Sequence, residues 1–277
     1  MNVSVLLFFD AMRRVTGEFL GEIVHRRLEC GITASLNSYA PRMHLADHTH
    51  ENAFIAFVLS GGYNESCGYR RHECICGAAI LHPAGETHRN LFSSRGGLVF
   101  SLEFGSSWVD RLDQVPTRTI GREGRIFELG LQLYLRLSRG GWLGAVDLEE
   151  FALAITGELA HVHALQAEEA SSRWMKRTVE FLHGRACETM TLAGIAESAG
   201  VHPVHLARQF RKVHGCTVGD YIRRLRVQRA AVLLLETEEP ISHIAQGCGF
   251  ADQSHLTRLL KSALGATPRE LRSSTRH

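Results

Sequence analysis

The sequence predicts an α+β protein with more than one domain, in which a β-rich N-terminal body precedes an all-helical C-terminal domain. Its 277 residues are about twice the usual domain length. Short apolar runs punctuated by glycines fill residues 30–104, and apolar residues at helical spacing follow further along the chain. A polar stretch at 166–172 predicts a linker. The predicted domains are therefore 1–122, which is β-rich, 123–172, which is helical and ends in the linker, and 173–277, which is helical.

Composition excludes several classes of protein. Apolar residues make up 44% and charged residues 22% of the chain, which is typical of a folded domain and too apolar for a disordered one. No apolar run approaches the roughly 18 residues that span a membrane, and the N-terminal apolar stretch lacks the basic start of a signal peptide. Seven cysteines without the spacing of a disulfide framework favour a reduced, cytoplasmic location.

The net charge of +2 hides an asymmetry along the chain. Residues 1–172 hold 15 Lys and Arg against 20 Asp and Glu, a balance of −5, whereas residues 173–277 hold 16 against 9, a balance of +7. A basic segment of this kind favours a polyanion as its ligand, although basic surfaces are often only solvated.

Residues 30–104 predict a small antiparallel β-fold, because glycines bound apolar runs of strand length at 54–59, 78–81 and 98–104. Between 123 and 165 the apolar period becomes helical and predicts two helices. Their apolar stripes are Ile126, Leu129, Leu133 and Leu137, then Leu148, Phe151, Ile155, Leu159 and Val162. These stripes either cover the sheet or meet another subunit. We expect the second arrangement to give a homodimer through the N-terminal region.

The helical domain contains an internal repeat. A pattern that begins at Leu192 recurs 49 residues later at Ile241, and after one inserted residue the match resumes at an offset of 50. Each copy predicts a short helix, a turn at a glycine (Gly200 or Gly249) and a second amphipathic helix. This is a helix-turn-helix, present twice. The inward positions are the small Ala196 and Ala245 on the first helices, and Leu206, Phe210, Leu256 and Leu260 on the second helices.

The outer face of each second helix carries side chains suited to reading DNA. Arginine pairs with guanine edges or phosphates, glutamine with adenine, and small polar groups with phosphate. The predicted DNA-binding residues are His202, Val204, His205 and Arg208 in the first copy, and Gln253, Ser254, His255 and Arg258 in the second. The alternative is a helical hairpin whose outer face is only solvated. Two matching copies on a segment of charge +7 favour DNA binding.

Residues 218–236 predict one continuous helix between the two copies, since only Gly219 near its start disfavours helix. At about 1.5 Å per residue this helix is roughly 28 Å long, which suits recognition helices about one DNA turn apart. Four arginines on it are expected near phosphates or in solvent: Arg223, Arg224, Arg226 and Arg229.

The spacing of these residues is similar to the signature of the AraC/XylS family of bacterial transcription regulators. The matching motifs are Phe210-x-Lys212-x-x-Gly215, Tyr221-Ile222-x-x-Leu225-Arg226, Ala230-x-x-Leu233-Leu234, Ile241-x-x-Ile244-Ala245, Gly249-Phe250-x-Asp252-x-Ser254 and Gly265-x-Thr267-Pro268. The resemblance covers residues 174–272 and implies a seven-helix domain that binds promoter DNA. Val218, Leu260 and Leu271 depart from the usual proline, phenylalanine and tyrosine, and all three changes are conservative for packing.

The β-rich domain contains a second resemblance. His48-x-His50 is predicted to lie just before a strand, and at a period of two both imidazoles face the same way. Gly77-x5-Pro83-x-Gly85-x2-His88 is similar to the second motif of cupin barrels. The resemblance therefore implies a cupin-like β-barrel with flanking helices. In metal-binding cupins these motifs supply three histidines and one glutamate.

The glutamate of that set is missing here, because its expected position falls on Phe54 or Ile55. Glu51 is near in sequence but is expected to point to the other face from His50. We therefore predict no cofactor and no metal, with His48, His50 and His88 as a candidate effector pocket. A zinc site of three imidazoles is the less favoured alternative.

Two functions remain open at the level of sequence. The favoured one is a regulator, not an enzyme, that binds double-stranded promoter DNA and responds to a small-molecule effector. An activator of this kind would also contact RNA polymerase. The alternative is a metal-dependent cupin enzyme with a DNA-binding appendage.

Overall fold

The computed structural model describes residues 13–14, 19–108, 112, 120–121, 124–139, 145–171 and 173–275. It forms two compact units, one of residues 1–157 with 274–277 and the other of residues 158–273. The predicted linker is not irregular, because residues 166–171 continue a helix that begins at Ala145. Gln, Ala and Glu are good helix formers, and no glycine or proline interrupts them.

The N-terminal unit is built on β-strands, and its two longest strands pair antiparallel along most of their length. The described strands are β1 (Arg13–Arg14), β2 (Glu22–Glu29), β3 (Ile32–Tyr39), β4 (His44–His50), β5 (Ala53–Cys67), β6 (Arg70–Ile75), β7 (Ala79–His82), β8 (His88–Phe104) and β9 (Ile120–Gly121). The first half of β5 pairs with the second half of β8, and the second half of β5 pairs with the first half of β8. Strand β4 adds to the first half of β8 and β3 to its second half. Side chains from both halves share one core, in which the rings of Tyr39 and Phe92 stack with centroids 4.2 Å apart.

The predicted β-body is confirmed: the predicted strands 54–59 and 98–104 lie within β5 and β8, and β7 contains the predicted strand 78–81 except for Ala78. The closed barrel is not formed by the described pairing, since the strand path β1-β4-β8-β5-β7-β9 has no pairing that joins its ends. Both ends of this path are strands of two residues, which offer little edge for closure. His48 and His50 lie within β4 rather than just before a strand.

Two helices follow the strands, α1 (Arg125–Ser138) and α2 (Ala145–Ser171), as predicted. Helix α1 packs on the sheet at Gly130, where an added Cβ would lie 2.3 Å from the Phe57 ring. Leu129 and Leu133 are buried within the chain, with 5% and 0% of their surface exposed. Of the two arrangements that the sequence left open for this stripe, the structure shows the first, because the stripe packs on its own sheet.

The C-terminal unit contains the predicted helices. They are α3 (Arg173–Arg185), α4 (Leu192–Ala199), α5 (Pro203–His214), α6 (Val218–Glu236), α7 (Ile241–Gly247), α8 (Gln253–Leu264) and α9 (Pro268–Ser273). Helix α6 begins and ends at the predicted residues. The departures from the family signature pack as expected, since Val218, Leu260 and Leu271 are all buried. Within the described part of the chain, no helix is both long and apolar enough to cross a membrane.

Candidate nucleic-acid interface and histidine cluster

The two copies of the sequence repeat form the same backbone hydrogen bond at their turns. In the first turn the Val201 N–H donates to the Ala196 carbonyl at 3.0 Å, and in the second the Phe250 N–H donates to the Ala245 carbonyl at 2.9 Å. Gly200 and Gly249 stand at these turns with φ of 71° and 78°, the left-handed conformation that glycine adopts without strain. Helices α4 and α5, and α7 and α8, therefore form two helix-turn-helix units of the same local geometry.

The predicted inward residues hold each unit together. Four side chains of the second helices are fully buried, with 0% exposure: Leu206, Phe210, Leu256 and Leu260. Ala196 and Ala245 are buried to the same degree, which is what close approach of the two helices requires. This packing fixes which face of α5 and α8 is left outward.

The outward face of α5 presents Val204, of which 68% is exposed, and Arg208. The other two predicted residues also have local roles. His202 is the N-cap of α5, because its Nδ1 accepts a hydrogen bond from the Val204 N–H at 3.3 Å. The ring of His205 packs against Trp174, with centroids 5.5 Å apart.

The outward face of α8 presents Gln253, Ser254 and Arg258, all exposed. His255 is half-buried, and its ring meets Phe250 edge-on with centroids 5.6 Å apart. Its Nδ1 accepts a hydrogen bond from the Ala251 N–H at 3.4 Å. Of the eight predicted DNA-binding residues, five are thus left without such a local role: Val204, Arg208, Gln253, Ser254 and Arg258.

Arg226 on α6 is not placed to meet phosphate. Its guanidinium donates to three backbone carbonyls, from Nε to Ala186 at 2.7 Å, from Nη1 to Gly249 at 2.7 Å and from Nη2 to Glu188 at 2.8 Å. It therefore joins the loop between α3 and α4 to the turn of the second helix-turn-helix. Sequence reasoning grouped it with its neighbours, because a structural and a phosphate-binding arginine look alike in a sequence.

The other arginines of α6 stay exposed, with Arg223 bonded to Asp220 at 2.6 Å. Sequence reasoning did not include Arg211, Lys212 and Lys261 among the DNA-binding residues, and all three are also exposed. They lie three or four residues after Arg208 and Arg258, so helical spacing places them on the same faces. Each outward face is therefore basic over about one helical turn.

In the N-terminal unit the three predicted histidines come together. His48 and His50 are each 4% exposed and His88 is 2% exposed. The ring centroids of His48 and His88 are 4.4 Å apart, and those of His50 and His88 are 5.5 Å apart. Phe54, one of the two positions at which the glutamate is expected, stacks on a further histidine, His82, with ring centroids 4.2 Å apart.

His82 and Glu65 belong to the same cluster, and sequence reasoning missed both. They are 1% and 0% exposed, and the His82 Nε2 lies 3.7 Å from a Glu65 carboxylate oxygen. The alternation of inward and outward side chains along β5 does not predict an inward Glu65, because the pairing with β8 shifts register twice, after Val58 and after Gly61. Even-numbered residues such as Phe54 face the core before the shifts, and odd-numbered ones such as Tyr63 face it afterwards.

Burial keeps the imidazoles of His82 and His88 neutral. It lowers the pKa of His88 to about 4, aided by the nearby His48, and it lowers the pKa of His82 well below its usual value, aided by the neighbouring histidines. The His48 Nδ1 donates to the Ala46 carbonyl at 2.8 Å, and the His88 Nδ1 donates to the Glu86 carbonyl at 3.3 Å. A carbonyl only accepts, so in both rings Nε2 keeps its lone pair.

The four histidines of the cluster, His48, His50, His82 and His88, line a cavity of about 20 Å³. One water needs roughly 10–15 Å³. The cavity therefore has room for a water or an ion, and an organic effector would require side chains to move.

The C-terminal region of the chain is similar to known proteins. A family model described as a helix-turn-helix domain matches residues 195–274. The transcriptional activator RhaS of Escherichia fergusonii is 31% identical over 108 residues, which are 39% of this chain and 39% of RhaS. The multiple antibiotic resistance protein MarA of Salmonella typhimurium is 34% identical over 88 residues, which are 32% of this chain and 69% of MarA.

A solved AraC-type regulator from Chromobacterium violaceum is 28% identical and covers 39% of this chain and 97% of its own, with a TM-score of 0.38. The chain thus spans about two fifths of RhaS and about two thirds of MarA. The chain belongs to the AraC family of helix-turn-helix transcriptional regulators.

Proposed function

We propose that this chain binds specific promoter DNA through both helix-turn-helix units and that the state of the N-terminal unit modulates this binding. The observation that carries the proposal is the twofold repeat: two units with the same turn geometry expose Arg208 and Arg258 at corresponding positions. They lie in a segment of charge +7, which favours the phosphate backbone as ligand.

Replacing Arg208 or Arg258 with alanine tests this proposal. If each arginine contacts a base edge, each change costs about 1–3 kcal/mol of binding and relaxes specificity at one position, the two positions being about one DNA turn apart. The measurement is a binding titration with an operator found by genome-wide mapping, repeated over a range of salt concentrations.

Arg177 on α3 is exposed and lies outside both helix-turn-helix units, so Arg177→Ala is the matched control. Equal weakening on every DNA sequence would make both arginines phosphate contacts. An affinity for DNA that does not change with salt would contradict the proposed interface itself.

A metal-dependent enzyme with a DNA-binding appendage is the second candidate, and the buried histidines and glutamate favour it. The two helix-turn-helix units and the basic charge of residues 173–277 favour the regulator. In this proposal the N-terminal unit is cupin-like and binds a small effector at His48, His50 and His88, with movement of the side chains around the cavity.

We propose that the chain is a homodimer through its N-terminal unit, which would bring two DNA-binding domains to a paired site. Because Leu129 and Leu133 are buried in their own chain, the interface would use other residues. Sedimentation at micromolar concentration is expected to give twice the mass of one chain. A single-chain mass there would contradict the proposal.

A further inference from the structure

Two buried sets of metal-ligand residues meet at His88. One is His48, His50 and His88, the set that the cupin resemblance implies. The other is Glu65, His82 and His88, from strands β5, β7 and β8. Within each set the candidate ligand atoms lie within 4.8 Å of one another. Only the second set contains a carboxylate.

The distance between Glu65 and His82 suits a shared ion better than a hydrogen bond. The carboxylate oxygen and the ring Nε2 are 3.7 Å apart. Hydrogen bonds of this type are about 2.7–3.2 Å long. Two ligands that each lie about 2.1 Å from one metal are roughly 3.0–3.5 Å apart in adjacent positions, so an ion between them needs a shift of only a few tenths of an ångström.

The surroundings of the His82 ring also favour a bound ion. It is 1% exposed, and within the described residues neither of its ring nitrogens makes a hydrogen bond. Leaving such groups unsatisfied is costly, so a buried imidazole in this condition needs a partner. On the opposite side of the ring, Nδ1 lies 3.8 Å from a Glu86 carboxylate oxygen. That placement suits the carboxylate that typically supports a metal-bound histidine.

The other two residues of the set are already oriented. The His88 Nδ1 is bonded to the Glu86 carbonyl, which leaves Nε2 as the ligand atom. In the amide orientation that satisfies its surroundings, Asn90 donates to a Glu65 carboxylate oxygen at 3.2 Å. His82, His88 and Asn90 line a cavity of about 20 Å³, which is large enough for an ion or a water.

We propose that Glu65, His82 and His88 hold one divalent transition-metal ion of the zinc or ferrous-iron class. Two imidazoles and one carboxylate suit these ions, whereas magnesium and calcium prefer oxygen ligands alone. Glu65 supplies the negative charge that the three-histidine set lacks. This inference does not depend on DNA binding, and it is the alternative to the metal-free pocket expected from Phe54.

Elemental analysis of the full-length protein, after loading with Zn²⁺ or Fe²⁺ under nitrogen and desalting, tests the proposal. About one equivalent is expected to remain. Removing it with a chelator should lower the melting temperature, and returning Zn²⁺ or Fe²⁺ should restore it, because an ion that binds only the folded state stabilises that state. This arm uses the natural sequence, so it does not depend on whether a variant folds. Less than a tenth of an equivalent, with no thermal response to either ion, would overturn the proposal.

Variants then assign the ligands. Glu65→Gln and His82→Gln are each expected to weaken Zn²⁺ binding by about 100-fold or more in calorimetric titration, since even the groups that support ligands contribute about 10–100-fold. His44→Gln is the control, because His44 is exposed on β4, the strand that also carries His48 and His50. His50→Gln separates the two sets and should retain tight binding. Loss of binding in His50→Gln but not in Glu65→Gln would overturn the proposed ligand set.

Discussion

Replacing Arg226 with methionine is expected to lower the free energy of unfolding of the C-terminal unit by about 3–5 kcal/mol. The guanidinium makes three hydrogen bonds to backbone carbonyls, at Ala186, Glu188 and Gly249, all between 2.7 and 2.8 Å. Hydrogen bonds that involve a charged group are worth about 1.5–3 kcal/mol each, and partial exposure of this site lowers the sum. Methionine keeps the length of the side chain and its helix propensity, so the loss reports the hydrogen bonds.

Urea unfolding of residues 158–277 measures this change. Arg229→Met is the matched control, since Arg229 is exposed on the same helix and is expected to change stability by less than about 0.5 kcal/mol. Arg226→Lys keeps the charge but cannot place three donors in the planar arrangement of a guanidinium, so most of the loss should remain. A stable Arg226→Met variant with weaker DNA binding would instead make Arg226 a phosphate contact.

Much of the C-terminal unit was predictable because its signals are local. Helix α6 could be predicted to the residue, since only Gly219 near its start disfavours helix. In the structure Thr217 also caps its start by accepting a hydrogen bond from the Asp220 N–H. The inward positions follow from helical spacing alone, as the burial of Phe210 and Leu260 confirms. The three-carbonyl role of Arg226 was not predictable, because its partners lie 23 to 40 residues away in the chain.

The N-terminal unit was less predictable because its cluster depends on register. The facing of His48 and His50 follows from period two within one strand, and the structure agrees. The inward direction of Glu65 does not follow from period two, since two shifts in the pairing of β5 with β8 change which residues point inward. His82 is the residue before Pro83, inside a motif that was identified from its glycines, proline and final histidine. Nothing in that motif indicated that the side chain of His82 joins the cluster.

The two glycines of the helix-turn-helix turns should respond differently to alanine. Both have positive φ, 71° at Gly200 and 78° at Gly249, so each Gly→Ala change costs about 1 kcal/mol of backbone strain. At Gly200 an added Cβ would meet nothing within 4 Å, but at Gly249 it would lie 2.5 Å from the Cys187 carbonyl oxygen and 3.0 Å from the Arg226 Cζ. We therefore expect a loss of about 1 kcal/mol for Gly200→Ala and of about 2–4 kcal/mol for Gly249→Ala.

Urea unfolding of residues 158–277 compares the two variants, which serve as controls for each other because they share the repeat position and the backbone conformation. The extra loss at Gly249 should fall when Gly249→Ala is combined with Arg226→Met, because the first change displaces the guanidinium that the second removes and the two effects are then not additive. Full additivity would assign the extra loss to the Cys187 carbonyl alone. Equal losses for the two glycines would mean that the chain relieves the contact with Cys187 by a small backbone shift, and would contradict a tight junction between this turn and the loop before α4.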